Sequence, residues 1–528
     1  MEKTDIDKPK KVSISWIERL WRHKADLLLV LILVILTGLY GLLMVTDRVP
    51  ILGLALLGVF WLLYIILTGR LSFATPMDLP ILGVIALLPL SLAISVNRSL
   101  SLPKIYGLLL SIALFYLIVN AVRNYHHLSL AILALILLSL IIVVMGLLVT
   151  NWARGWFTFL SPVYVRIPRI SDLIPGTLSE GMINVNTIGG AMSFFVPLLA
   201  SLLWDRDAFY RKYIRKKVHA KFLRIAYKLL VILTFLSASG MLILTQSRGA
   251  ILGSAFGLLI LIVWKRRVKI KLILVILAVM ILTIMIMVEG DISELNTLLD
   301  TDEENSTLQG RFESWRSTMA IIQDFPFTGA GIGIYNQLFA EFYNLSPFTT
   351  EVVDPLHAHN IFLAVAVDLG LPALVLYCAL LSSFAAILKQ NYSIGRSINR
   401  VVLKGLACGL LAHHIFGIMD AFLLGTKLGV ILWIFLGLAT AMAAHRNNFK
   451  LLHDPPREDN PAYKTKPDWN QVKHRLIDLL IGLLFWLLMS LAAVSLINII
   501  PLLSLVTAIL GGFTLGLILN SRFKNSTI

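Results

Sequence analysis

Charge is scarce in this sequence. Asp, Glu, Lys and Arg make up 14% of its 528 residues, where an average soluble domain carries about a quarter. Cysteine is scarcer still: only Cys378 and Cys408, both within apolar stretches. That excludes a disulfide framework and a cysteine-built metal centre. No small-residue cleavage site follows the first apolar run, so an uncleaved first span is expected rather than a signal peptide. No internal repeat is visible, which removes the usual mark of a repeat-built transporter.

Apolar residues are abundant instead. They form 58% of the chain, mean hydropathy is +0.83, and apolar stretches near span length recur from end to end. Backbone groups find no water in lipid, so helices that satisfy their own backbone are the expected solution. The fold class expected is an all-α polytopic membrane protein. Its candidate spans lie near 26–45, 50–68, 79–96, 103–122, 128–150, 183–203, 229–245, 249–264, 271–288, 372–389, 402–423, 428–444, 476–498 and 502–520, fourteen in all.

Lys and Arg assign the sides. A cytoplasmic N-terminus puts 36 of the 46 on the cytoplasmic face, the bias that loops of inserted proteins carry. The net charge of +16 then belongs to one face. Anionic lipid headgroups satisfy it, and no nucleic-acid partner is called for. The chain divides into a cytoplasmic segment 1–25, a membrane domain 26–444, a basic cytoplasmic loop 445–475, and two further spans with a tail over 476–528. Two outside loops are long, 151–182 and 289–371, and connections of that length are usually functional. From 289 to 356 the second holds 12 acidic residues and two basic ones, Arg311 and Arg316.

The second loop ends in HAHNIFLAVAVDLG, residues 357–370. From Asn360 to Leu388 a helix would run roughly 43 Å, longer than a hydrocarbon core of about 30 Å. Pro372 breaks the run. The expectation is a short outside helix over 357–369 near the surface, then a span from 372, which keeps Asp368 out of the bilayer centre. On such a helix the side chains of His357 and His359 would diverge, two residues being about 200° apart. Either could be a plain surface histidine or a base titrating near neutral pH.

Other polar groups share that side. Arg248, in TQSRGAILG, sits in a tight outside turn, as a snorkelling anchor or as an anion clamp whose planar fork suits phosphate. Phe312, Trp315, Met319 and Ile322 recur at helical spacing, so 311–323 reads as an amphipathic helix with Arg311 and Arg316 at its start. The GAGIG that follows has no strand before it and is not a nucleotide loop. It reads as a turn that lets backbone approach a ligand. Asn184 and Asn186 precede Gly189-Gly190, small residues that suit close helix packing. His413, His414 and Asp420 fall in or near a span, where ionisable groups are either functional or satisfied in packing. Asp300 and Asp302, in DTDEE, form a D-x-D pair in an already acidic loop.

Four segments in this order, NVNTIGG at 184–190, SRGA at 247–250, GRFESW…GAGIGIY at 310–335 and HNIFLAVAVDLG at 359–370, resemble the O-antigen ligase/polymerase family. The comparable region is about 180–440. The resemblance implies a glycosyltransferase-C-like helical domain of twelve spans, so the last two here are additional. It implies transfer of a glycan from an undecaprenyl-diphosphate donor to a lipid-linked or lipid-core acceptor hydroxyl, outside the bacterial inner membrane, with no metal and no cofactor. His359 would be the catalytic base, and Arg248 and Arg311 would hold the donor diphosphate. His357, Arg316, Asn186, His413 and Asp420 stand behind them as secondary site residues. Ligase, polymerase and protein O-oligosaccharyltransferase share these motifs, and a non-enzymatic flippase for lipid-linked sugars is the contrasting reading.

Overall fold

A computed structural model describes residues 72–150, 160–167, 183–204, 219–265, 306–343, 357–392, 397–422, 424–445 and 469–526, with Trp152 and a few scattered positions before residue 66. The spans read at 26–45 and 271–288, most of 50–68, and the Asp300–Asp302 pair lie outside the described residues.

Regular structure among the described residues is helical, apart from one bridge between Thr150 and Ile183. Among the described residues, seven helices are long and apolar enough to cross a membrane, and three shorter apolar ones accompany them. The chain is a polytopic integral membrane protein. In chain order the helices are α1 (Asp78–Ile94), α2 (Arg98–Ala121), α3 (Tyr125–Val149), α4 (Ser161–Tyr164), α5 (Val185–Trp204), α6 (His219–Leu244), α7 (Arg248–Lys265), α8 (Ser306–Asp324), α9 (Tyr335–Leu338), α10 (Ile361–Leu369), α11 (Leu371–Tyr392), α12 (Ser397–Phe416), α13 (Val430–Ala444), α14 (Trp469–Leu496) and α15 (Pro501–Ser526).

Small residues let the spans approach closely, which is how helices associate where no hydrophobic drive separates protein from lipid. A Cβ on Gly409 would lie 2.3 Å from the Phe194 carbonyl oxygen, and one on Gly253 would lie 2.2 Å from that of Ala412. Helices α5, α7 and α12 are therefore in backbone contact. The two additional helices have a visible place. A Cβ on Gly512 or on Gly516 would lie 2.3 Å from the carbonyl oxygen of Val375 or Ala379. Trp486 donates to Pro372 O at 3.0 Å, and Asn520 donates to Ser383 O at 3.1 Å. The C-terminal pair thus braces α11.

Three expectations need correction. The stretch 357–369 is not a surface helix. It becomes helical only at Ile361, and every residue of α10 except Phe362 is buried. The 402–423 span stops as a helix at Phe416, and residues 417–422 and 424–429 are turns and irregular chain. The GAGIG turn does bring backbone close, but to α10. Gly329, Gly331, Gly333 and Gly370 all have positive φ, and a Cβ on Gly370 would lie 2.2 Å from Phe327 O. Ala330 N–H donates to Val367 O at 2.8 Å, and Gly333 N–H to Asp368 Oδ1 at 3.3 Å. A helix leaves its last carbonyls unpaired, and this wrap satisfies one of them on α10.

Candidate functional site

The site is built around residues 416–420, FGIMD, where α12 has ended. Ile361 N–H donates to Gly417 O at 2.8 Å, and Asn360 Nδ2 donates to Ile418 O at 3.1 Å. Asn360 also caps α10, its Oδ1 accepting from Phe362 N and Leu363 N. The same residue therefore starts the helix and pins it to the FGIMD segment. Gly190 faces the Phe416 ring. A Cβ on Gly249 would lie 3.5 Å from that ring and 3.9 Å from Met419 Cβ. Gly189 fits against Ser247, Thr245 and Ala250. Segments far apart in sequence thus meet at one end of the bundle, because each carries the small or capping residue that close approach needs.

His357 and His359 both stand before the first turn of α10, not on it, and they do not diverge. Their ring centroids are 4.5 Å apart. His357 Nε2 lies 3.1 Å from Asp420 Oδ1, and His359 Nδ1 lies 3.7 Å from the same oxygen. The Asp420 side chain is 7% exposed, while those of His357 and His359 are 19% and 26% exposed. Burial pushes the Asp420 carboxyl up, but the facing imidazoles of His357 and His359 outweigh it and hold the group below the usual carboxylate range. His359 has φ +47, the left-handed region that side chains other than glycine enter rarely and at a cost. Neighbouring hydrogen bonds hold it there: Trp315 Nε1 donates to His359 O at 3.3 Å, and His359 N–H donates to His357 Nδ1 at 3.3 Å.

Those contacts favour one tautomer of each ring. His357 Nδ1 accepts a proton donor, so it carries the lone pair and Nε2 carries the hydrogen. Asp420 is the group that this N–H faces. His359 Nδ1 is buried without a hydrogen-bond partner and points at the same carboxylate, which favours Nδ1–H and leaves Nε2 as the free basic atom. His357, His359 and Asp420 are also donor types and distances that could hold a metal ion. The fit fails at His357: a metal on Nε2 needs the hydrogen at Nδ1, where it would confront the His359 N–H.

The arginines are placed as follows. Trp315 on α8 reaches the His359 carbonyl, and Arg311 lies one turn earlier on that face. Arg311 is half-buried, whereas Arg316, about 100° around, is exposed. Arg248 is the first residue of α7, half-buried, next to the Gly249 that faces FGIMD. Asn184 Oδ1 accepts from Asn186 N at 2.8 Å and so turns the chain into α5. His413 lies apart from solvent, 1% exposed, stacked on Phe194 with ring centroids 4.0 Å apart and bonded to Gly190 O at 3.2 Å. His414 bonds Tyr377 Oη at 2.8 Å. Asp368, absent from the expected site, is buried and bonded to the GAGIG turn. Burial pushes its carboxyl up to about 7, against Gly333 N–H, Lys104 and His357.

The imidazole edge of His359 away from Asp420 and two half-buried arginines, Arg248 and Arg311, are the polar groups that the site offers to a ligand. Sequence reasoning missed the meeting of His357 with Asp420. The only signal was an acidic residue in an otherwise apolar stretch, 61 positions after His359. No curated protein matches the chain. Residues 232–378, which carry Arg248, Arg311, His357 and His359, match the family model described as O-antigen ligase.

Proposed function

We propose that the protein is a membrane glycosyltransferase that moves a glycan from undecaprenyl diphosphate to an acceptor hydroxyl on the extracytoplasmic face of the inner membrane. The observation that carries this reading is Asp420 Oδ1 standing 3.7 Å from His359 Nδ1, with Trp315, one turn after Arg311, bonded to the His359 carbonyl. The acceptor O–H gives its proton to His359 Nε2, and its oxygen attacks the anomeric carbon. The bond from that carbon to the phosphate oxygen breaks, and the diphosphate leaves with the electron pair. Arg248 and Arg311 hold that growing charge, as preorganised cations do at small reorganisation cost. The configuration inverts, and no covalent enzyme intermediate is needed.

Full-length protein in nanodiscs, given a synthetic undecaprenyl-diphosphate oligosaccharide and candidate acceptors, tests the reading. A longer lipid-linked chain identifies a polymerase, and a glycosylated lipid core identifies a ligase. Glycosylated protein identifies the oligosaccharyltransferase, and movement without bond change identifies a flippase. A chelator, and Asp300→Ala with Asp302→Ala, should leave most activity. Loss restored only by Mg²⁺ or Mn²⁺ would move the chemistry to those aspartates.

Sidedness is tested separately. Cysteines introduced at 300 or 345 should react with an impermeant thiol reagent on spheroplasts, and cysteines at 215 or 455 should not. The reverse pattern would put His359 in the cytoplasm and end this reading, because acceptor and donor would then meet on the wrong face.

A further inference from the structure

His357 takes no part in the transfer just described, yet its ring is tied into the site at both nitrogens. Nδ1 accepts the His359 backbone N–H at 3.3 Å, and Nε2 lies 3.1 Å from Asp420 Oδ1. We propose that His357 is a positioning residue, whose Nε2–H holds the Asp420 carboxylate in front of His359 Nδ1. The inference rests on the reading of His359 as the base.

Asp420 needs such a holder. It sits beyond the last helical residue of α12, on irregular chain. Its Oδ1 accepts Ala421 N–H at 2.8 Å, a bond within its own turn that does not tie it to the histidine loop. His357 supplies that tie and, through Nδ1, also fixes the backbone that carries His359. When His359 Nε2 takes the acceptor's proton, the ring becomes a cation whose Nδ1–H faces an oxygen already in place. A carboxylate oriented beforehand stabilises an imidazolium with little reorganisation. The 3.7 Å separation is one from which catalytic hydrogen bonds commonly shorten when substrate binds.

His357→Gln and His357→Met test it. The two side chains have the same length, and only glutamine has an N–H to give Asp420. In nanodiscs, with the synthetic undecaprenyl-diphosphate oligosaccharide as donor, H357M should lower kcat about 10- to 100-fold, the scale of a misplacement near 1 Å. Donor KM should stay near wild type, and H357Q should recover most of the loss. H357Q and H357M equal in kcat, whether both high or both low, would overturn the inference. If H357M does not fold, H357Q decides alone: folded protein as impaired as H359A overturns it. Ring ¹⁵N spectra add an arm independent of turnover. The histidine signal lost in H357Q should be the Nε2-protonated tautomer, and an Nδ1-protonated signal would overturn the proposal. H359A at wild-type activity would bring down the base assignment itself. H359A inactive beside fully active H357M would remove only the role of His357.

Discussion

Replacing His359 with alanine should lower turnover by about 10²- to 10⁴-fold, the usual contribution of a general base. Donor binding should change little, because the imidazole acts on the acceptor hydroxyl and the diphosphate is held by other groups. The measurement is kcat and donor KM in nanodiscs, with folding checked by thermal melting. The loss should be larger than for His357→Met, since His359 handles the proton and His357 only holds its surroundings. Wild-type turnover in H359A would remove the base from this loop. Had both histidines sat on one helix, His357→Ala would have been the silent control. The structure withdraws that expectation, because both rings precede α10 and face one Asp420 oxygen.

Arg311→Ala and Arg248→Ala should each lower kcat/KM by about 10²- to 10³-fold, the cost of losing one preorganised donor to a developing anion. Unlike the histidine variant, both should also weaken donor binding, measured directly with the synthetic lipid-linked donor. Lysine should restore only part of either loss, because a point charge cannot reproduce a planar bidentate fork. Arg316→Ala should be nearly silent. It is one residue from Trp315 but exposed, turned away from the face that reaches His359. Equal losses in R311A and R316A would mean that α8 contributes net positive charge rather than a placed fork.

Much of the architecture was legible in the sequence. Apolar length and charge bias are local properties, and they yielded spans close to α2, α3, α5, α11, α14 and α15. The amphipathic spacing of Trp315, Met319 and Ile322 found α8, which runs a few residues further at its N-terminal end. The break at Gly370–Pro372 was also readable, since proline and a positive-φ glycine act on the backbone where they stand.

The sequence by itself determined that this is a helical membrane protein with arginines and histidines gathered in a few polar segments, because helix formation and lipid burial follow from residue type and short-range spacing. Only the tertiary structure decided which of those groups meet. Helix α12 stops at Phe416 rather than running on to 423, and the carbonyls just beyond it bond to the start of α10, Gly417 O to Ile361 N–H and Ile418 O to Asn360. These contacts join residues some 60 positions apart, which no local pattern encodes. They turn Asp420 from an expected span residue into the carboxylate between His357 and His359. They also help to bury α10, which the length of the apolar run, Pro372 and Asp368 had left at the surface, and the GAGIG turn that covers it belongs to another stretch of chain.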